Sequence, residues 1–303
     1  MALWKRDKQT GPMIGPIGSQ VREEHRVDYG ATLLDGAAMA DKLRASLARK
    51  IADSKTRPGL AVILVGEDPA SQLYVDFKLN ASKQVGMYLK MIALPEDVSQ
   101  EKLLKVIRKL NKKKKIHGIL VQLPLPKHLN EFAVMQAVAP EKDVDGFNPV
   151  NIGWLSIGDP EFVPATTRGI ARLLAATKVD LAGKHAVVVG TSNIVGKPTA
   201  QWLLNEGATV TLCNSKTENL AFHTRQADVL VTATGVPDLI DGDMVKTGAI
   251  VIDAGIAKKD DVVVGDCVFE EVAKKASFIT PVPGGVGPMT VAALLENTYL
   301  AAE

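Results

Sequence analysis

Six consecutive apolar residues, Leu60-Ala61-Val62-Ile63-Leu64-Val65, run without a polar interruption and stop at Gly66. A run with no alternation has no solvent face, so it predicts a strand buried on both sides, as in a parallel sheet covered by helices. Helical patterns flank it. Asp35 is placed to cap a helix carrying Ala37, Met39, Leu43, Leu47 and Ile51, and a second helix is expected from about Pro69 to Val85, stopped by Gly86. Strands are expected at 87–94 and 118–123, with a helix at 101–110 between them.

The stretch 143–167 is rich in Gly, Pro, Asn and Asp and reads as a linker and the floor of a cleft. A second series then begins, with strands at 185–189, 209–213, 228–232 and 249–253 and a helix at 198–205. Strands alternating with helices imply parallel sheets covered on both faces, and 303 residues suit two such units. The expected fold is therefore α/β: two doubly wound domains flanking a cleft, the second a Rossmann-like dinucleotide-binding domain. Residues 31–165 form the first, catalytic domain and 166–287 the second. The C-terminal helix, 288–303, is expected to pack back on the first, and residues 1–30 read as a flexible extension or an expression remnant.

Several function classes are disfavoured. A formal net charge of +2 gives no global field for nucleic acid, and the run Lys112 to Lys115 reads as the solvated end of a helix. The two cysteines, Cys213 and Cys267, lie in apolar surroundings without metal-ligand spacing, which fits a reducing compartment. The five histidines show no HxxxH or HExxH pairing, so no metal is expected. No apolar stretch approaches the roughly 18 residues that span a bilayer. Asp7, Glu23, Glu24 and Asp28 argue against a transit peptide, and a cytoplasmic location is expected.

The segment from His185 to Pro198 is a strand, a glycine turn and a helix start. Gly190 permits a sharp turn, Gly196 permits close backbone approach, and amides at such a helix start favour a pyrophosphate. The GxGxxG fingerprint is absent: Ser192 stands where its second glycine would be. The next strand ends in Asn214-Ser215-Lys216, where an NAD-specific site would place an acid. That tip favours NADP. The strand after it ends in Thr232-Ala233-Thr234-Gly235, a small-residue turn that a nicotinamide ribose could approach.

Three segments of the first half set polar groups in apolar frames. Ser71, Tyr74 and Lys78 are spaced i, i+3 and i+7 and share one helix face. Gln122, in Val121-Gln122-Leu123-Pro124-Leu125-Pro126, sits at the carboxyl end of a buried strand, where α/β sheets place ligands. Lys142-Asp143-Val144-Asp145-Gly146-Phe147 sets two acids in a turn at the domain junction. Taken singly, the first and third have plainer readings: a solvent-facing stripe with Lys78 snorkelling, and a pair of capping aspartates.

Together with Gly190-Thr191-Ser192-Asn193-Ile194-Val195-Gly196-Lys197-Pro198 and Pro283-Gly284-Gly285-Val286-Gly287-Pro288-Met289-Thr290, these segments occur in one order on one chain. From about Leu33 to Glu303 the set closely resembles the bifunctional methylenetetrahydrofolate dehydrogenase/methenyltetrahydrofolate cyclohydrolase family. The resemblance implies a folate substrate, a homodimer and NADP. It implies Lys78 as the catalytic lysine, Tyr74 and Gln122 as its active-site companions, and Asp145 as the pterin-binding acid. Ser71, Pro283, Gly284 and Gly285 are implied at the folate. Gly190, Thr191, Ser192, Val195, Gly196, Asn214, Ser215, Thr234, Gly235, Gly287 and Thr290 are implied at the dinucleotide.

The chain departs from the family pattern at several positions. Thr191 stands where an Arg commonly holds the 2′-phosphate, which leaves NAD as an alternative cofactor. Asn214-Ser215 replaces His-Ser, Pro164-Ala165-Thr166-Thr167-Arg168-Gly169 replaces PCTPxG, and Asn148 replaces the His after DGF. Three rival readings compete: a dehydrogenase without the hydrolytic step, a dehydrogenase of a small polar acid such as shikimate, and a non-catalytic dinucleotide sensor. The Ser71–Tyr74–Lys78 face argues against the sensor, Lys78 against the first, and VQLPLP with KDVDGF against the second.

Overall fold

The computed structural model describes residues 30–260 and 262–303. The extension expected over 1–30 falls outside them, Gly30 excepted. The first elements in chain order are β1 (Thr32–Leu33), α1 (Gly36–Asp53), β2 (Gly59–Val65), α2 (Pro69–Gln84), β3 (Tyr88–Leu94), α3 (Gln100–Asn111), β4 (Gly118–Val121), α4 (Glu131–Ala137) and α5 (Pro149–Ser156). There follow α6 (Ala165–Ala176), β5 (His185–Val189), α7 (Gly196–Asn205), β6 (Thr209–Cys213), α8 (Leu220–Thr224), β7 (Val229–Thr232) and β8 (Ile250–Asp253). The chain ends with β9 (Ala257–Lys259), β10 (Val262–Val264), α9 (Phe269–Ala273), β11 (Phe278–Ile279) and α10 (Val286–Leu300).

The apolar run that opened the sequence is β2, the centre of a three-stranded parallel sheet ordered β3-β2-β4. Its side chains alternate between two cores, as the period of a strand requires. Leu60, Val62 and Leu64 pack with Leu47 and Ile51 of α1, Val75 of α2, and Leu294 and Leu295 of α10. Ala61, Ile63 and Val65 pack with Leu103, Ile107 and Leu110 of α3 and Val134 of α4. The second sheet has six parallel strands ordered β1-β11-β8-β7-β5-β6 and is likewise covered on both faces. Its order turns back between β5 and β7, which opens a crevice at the carboxyl ends of those strands. The fold is thus α/β with two doubly wound sheets, the second Rossmann-like.

Three features differ from the expectation. Residues 143–167 are not a continuous linker but contain α5. Asn148 caps it, accepting from the Val150 amide at 2.9 Å, and Pro149 suits the first turn. The residue types that cap helices are also those that mark loops, so composition hid this one. Residues 32–33, counted with the first domain, hydrogen-bond into the second sheet against β11; two residues are too few to show a period.

The last helix starts at Val286 and straddles both units. Val286, Met289 and Ala292 enter the core of the second, Leu294 and Leu295 that of the first. Directly after Leu295, Glu296 pairs with Arg168 at 2.7 Å and with Arg172, both on α6.

Lys112 to Lys115 are exposed where α3 ends, as a solvated helix terminus should be. Cys213 and Cys267 are buried free thiols. Among the described residues, no helix is long and apolar enough to cross a membrane, and no group of His, Cys, Asp and Glu could hold a metal ion.

Candidate active site

α2 begins at Asp68, whose carboxylate accepts from the Ser71 amide at 3.0 Å and the Ser71 hydroxyl at 2.9 Å. Ser71 is therefore buried within the helix cap. Tyr74 and Lys78 follow on the same face, both half-buried. The Lys78 ammonium donates to Oε1 of Gln122 at 3.0 Å. Gln122 comes off the end of β4: its amide donates to the Ile63 carbonyl at 2.9 Å, and its Nε2 donates to the Leu123 carbonyl at 2.6 Å. That second bond fixes which end of the side chain faces the lysine.

Burial lowers the Lys78 pKa, and the carboxylate of Asp145 works in the opposite direction. Burial in turn pushes Asp145 up to about 6, against the pull of Lys78 and with Asp143 adding to the rise. The two acids of the turn thus have different employment. Asp143 is buried and accepts from the Asn148 amide at 2.7 Å and from Asn151 Nδ2 at 2.9 Å. Asp145 interacts with Lys78.

The turn itself is held from outside. Asn297 of α10 donates to the carbonyls of Val144 at 2.8 Å and Val163 at 3.0 Å. Gly146, at φ +76°, lies so close to Pro164 that a Cβ would come within 2.8 Å of its Cα. Burial also raises the Tyr74 pKa, keeping the phenol protonated.

The second cluster occupies the carboxyl rim of the six-stranded sheet. Gly190 leaves β5 at φ +117°, and its amide donates to the Cys213 carbonyl at 2.9 Å, which sets it beside Asn214. A Cβ at Gly190 would overlap the Ala233 carbonyl, and one at Gly196 the Gly190 carbonyl. Ser192 Oγ accepts from the amides of Val195 at 3.1 Å and Gly196 at 3.3 Å. Amides expected to face a pyrophosphate are here already held, by the side chain that replaces the fingerprint's second glycine. Thr191 is half-buried, while Asn214, Ser215 and Lys216 are exposed. The amides of Thr234 and Val236, either side of Gly235, donate to Asp266 at 2.7 and 3.1 Å.

The loop after β11 reaches the same rim. The Ala37 amide donates to the Gly284 carbonyl at 2.8 Å; a Cβ at Gly36 would overlap the Gly285 carbonyl, and one at Gly285 would crowd Pro281 and Thr280 of its own loop. Pro283 is half-buried; Gly284 and Gly285 are buried. Gly287 and Thr290 lie in the opening turns of α10, where Thr290 Oγ1 is 3.1 Å from the Val286 carbonyl and 3.3 Å from Thr166 Oγ1.

The structure therefore gathers Lys78, Gln122 and Asp145, with Tyr74 one helical turn before the lysine. It gathers Gly190 to Gly196, Asn214, Ser215, Thr234, Gly235 and Pro283 to Gly285 on one rim. Ser71 is spent on a cap. Sequence reasoning missed Asp253 and Asp266, both buried, and Asn297; it also passed over Val236 and Ile256, exposed apolar residues beside Gly235. The signal for the acids was an Asp with a nearby Gly on each side of a short hairpin, Asp253-Ala254-Gly255 before it and Gly265-Asp266 after it.

Known proteins share this arrangement. Residues 34–145 match the sequence profile of the tetrahydrofolate dehydrogenase/cyclohydrolase catalytic domain, and residues 164–303 that of the same family's NAD(P)-binding domain. The bifunctional protein FolD of Exiguobacterium sibiricum is 52% identical over 276 residues, spanning 90% of this chain and 100% of that one. The crystal structure of the bifunctional FolD methylenetetrahydrofolate dehydrogenase/cyclohydrolase from Campylobacter jejuni superposes with a TM-score of 0.88 at 48% identity, covering 90% of this chain and 98% of that one. That of the Trypanosoma brucei enzyme, complexed with NADP and an inhibitor, gives a TM-score of 0.86 at 39% identity over 89% and 97% of the two chains. With both halves matched in order over nearly all the described residues, the chain belongs to the tetrahydrofolate dehydrogenase/cyclohydrolase family.

Proposed function

We propose that this protein oxidises 5,10-methylenetetrahydrofolate to the 5,10-methenyl cation with NADP and then hydrolyses that cation to 10-formyltetrahydrofolate. The observation that carries the reading is a lysine, Lys78, held at 3.0 Å by Gln122 and electrostatically coupled to Asp145, with its pKa lowered by burial.

The rim fits a dinucleotide. Gly190 and Gly196 keep the turn narrow where a Cβ would collide, and the exposed tip Asn214-Ser215-Lys216 offers polar and cationic groups with no carboxylate. Gly190, Thr191, Val195, Gly196, Asn214, Ser215, Thr234, Gly235, Gly287 and Thr290 would hold NADP. Ser192 yields its amide contacts to the phosphates or bonds them itself. Bound there, NADP supplies the acceptor for the substrate's hydride. Alignment by the protein accounts for most of that step, since no proton needs to move.

Hydrolysis does need one to move. A water attacking the methenyl carbon must lose a proton, and the neutral form of Lys78 takes it; the bond from that carbon to N5 then breaks, N5 keeping the electron pair and taking up a proton, which leaves the formyl group on N10. An unperturbed lysine, with a pKa of about 10.4, is a poor base at neutral pH. Burial favours the neutral form, and the cationic substrate adds to the effect. Gln122 fixes the amine. Tyr74 orients amine or substrate with a phenol that burial keeps protonated. Asp145, ionised above pH about 6, accepts from parallel N–H donors of the pterin. Pro283, Gly284 and Gly285 border the folate, and Ser71 supports it through the cap of α2.

The test supplies methylenetetrahydrofolate and NADP and follows the methenyl and then the formyl product; failure of either to form counts against the reading. A second copy of the chain is the proposed partner and the cytoplasm the proposed location. The edge strand β6 carries exposed Leu212, Trp154 and Leu204 are exposed on α5 and α7, and Ile157 is exposed at the C-cap of α5, which supports a self-association face. Sedimentation decides the oligomeric state.

A further inference from the structure

Between β8 and α9 the chain leaves the sheet at Asp253, makes the β9–β10 hairpin, and returns at Asp266. Both acids are buried, at 3% and 0% exposure, yet neither faces a cation among the described ion pairs. Their charge is met by hydrogen bonds instead. Asp253 Oδ1 accepts from Thr232 Oγ1 at 3.2 Å and from the amides of Gly255 at 2.9 Å and Asp266 at 3.1 Å. Its Oδ2 accepts from the Cys267 amide at 2.9 Å. Asp266 reaches the other way: Oδ2 accepts from the Thr234 amide at 2.7 Å and Oδ1 from the Val236 amide at 3.1 Å.

The arrangement is reciprocal. A Cβ at Gly255 would overlap the Asp266 carboxylate, and one at Gly265 would overlap that of Asp253. Each acid therefore occupies the space that a glycine on the opposite leg leaves open. Burying two carboxylates is costly, and several kcal/mol per ion are offset only where the hydrogen-bonding capacity is well met. A hairpin base needs no such device, because backbone pairing and an apolar contact would close it. Of the two acids, Asp266 spends its whole carboxylate on a different loop, the turn after β7 at the crevice beside Gly190.

We propose that Asp253 and Asp266 are positioning residues for the dinucleotide. Asp253 fixes the backbone of Asp266, and Asp266 fixes Thr234-Gly235-Val236 in the conformation that receives the cofactor's ribose and nicotinamide end. The inference rests on the assignment of that turn to the cofactor. It places a specificity for one half-reaction in groups that touch neither substrate nor cofactor. Oxidation needs the turn; hydrolysis of the methenyl cation at Lys78 does not.

Asp266→Asn keeps the size of the side chain but turns an N–H toward one of the two amides. It is expected to raise the KM for NADP by on the order of tenfold or more, the value of a lost hydrogen bond to a charged group. The kcat of hydrolysis, measured with methenyltetrahydrofolate supplied directly, should stay within about twofold. Gly255→Ala, which displaces the carboxylate without removing it, should reproduce the split. Equal loss of both activities, or an unchanged KM for NADP in a folded variant, overturns the proposal. A wild type lacking both activities overturns the functional reading instead. Should both variants fail to fold, hydrogen exchange in the full-length wild type decides: without NADP, the amides of 234 and 236 must be protected, and exchange at free-loop rates overturns it.

Discussion

The ammonium of Lys78 donates to Oε1 of Gln122, and the opposite end of that amide donates to the carbonyl of Leu123. The lysine is thus oriented by a neutral dipole and not by a salt bridge. A carboxylate at hydrogen-bond distance would hold it charged; an amide holds it in place while leaving burial free to lower its pKa.

Replacing Gln122 by Glu should move the pH profile of hydrolysis to the alkaline side, because a carboxylate in contact raises the lysine pKa. Hydride transfer should keep its profile. Rates of the two steps measured separately across pH check this; an unmoved hydrolysis profile refutes the lysine's role as base.

Lys78→Met should lower hydrolysis by roughly 10²- to 10⁴-fold, the usual contribution of a positioned base, and leave hydride transfer measurable. Single-turnover formation of the methenyl species followed by its decay separates the steps. Parallel losses in a folded variant that still binds folate count against the assignment.

Asp145, held up to about 6 by burial, loses its charge as pH falls through that value. Since kcat/KM reports groups of the free enzyme, kcat/KM for the folate should decline below pH about 6 and level off above it. Asp145→Asn should bind folate poorly at every pH and lack that inflection, with NADP binding retained. Titration of each ligand alone provides the measurement.

Thr191→Arg should favour NADP over NAD by on the order of tenfold at low salt, the effect of a charge-assisted hydrogen bond to the 2′-phosphate. Thr191 directly follows Gly190, whose amide contacts Cys213 next to Asn214, so the new side chain starts at the proper rim. Added salt should erode the gain. An unaltered ratio of the two Michaelis constants would mean that position 191 points away from the ribose.

Glu296→Ala should cost about 1–3 kcal/mol at neutral pH by stripping Arg168 and Arg172 of their shared acceptor. The two guanidiniums outweigh burial and hold the Glu296 pKa below its usual value. Its contribution is therefore complete above the unfolded-state value of about 4.3 and disappears as pH falls through the folded one. Denaturant titrations of wild type and variant should differ at pH 7, and the gap should narrow as the pH is lowered through the acid range.

Much of this was readable in the chain itself, for physical reasons that can be named. The six apolar residues of β2 could only be a strand buried on both faces, and the spacing of Tyr74 and Lys78 put them on one side of α2. Gln122 was found because a polar residue at the end of a buried strand points at a ligand rim. The misses share a cause. Asn148 caps a helix, Asp253 and Asp266 interlock through glycines, and Asn297 reaches two carbonyls 153 and 134 residues away. Each works through backbone groups, two residues on for the Asn148 cap and on other segments for the rest, and residue type alone does not say which amide or carbonyl a side chain will reach.

The placement of β1 and α10 has a consequence for how the protein comes into being. Synthesis passes from β1 toward α10, but β1 pairs with β11, the last strand among the described residues, and α10 completes the first core with Leu294 and Leu295. Before α10 exists, the first domain can thus cover Leu60, Val62 and Leu64 only in part, with α1 and α2. Multidomain chains commonly mature domain by domain as they emerge, which hides apolar surface early. Here β1 and α10 join segments far apart in the sequence across both units, so neither core closes fully until α10 has been made.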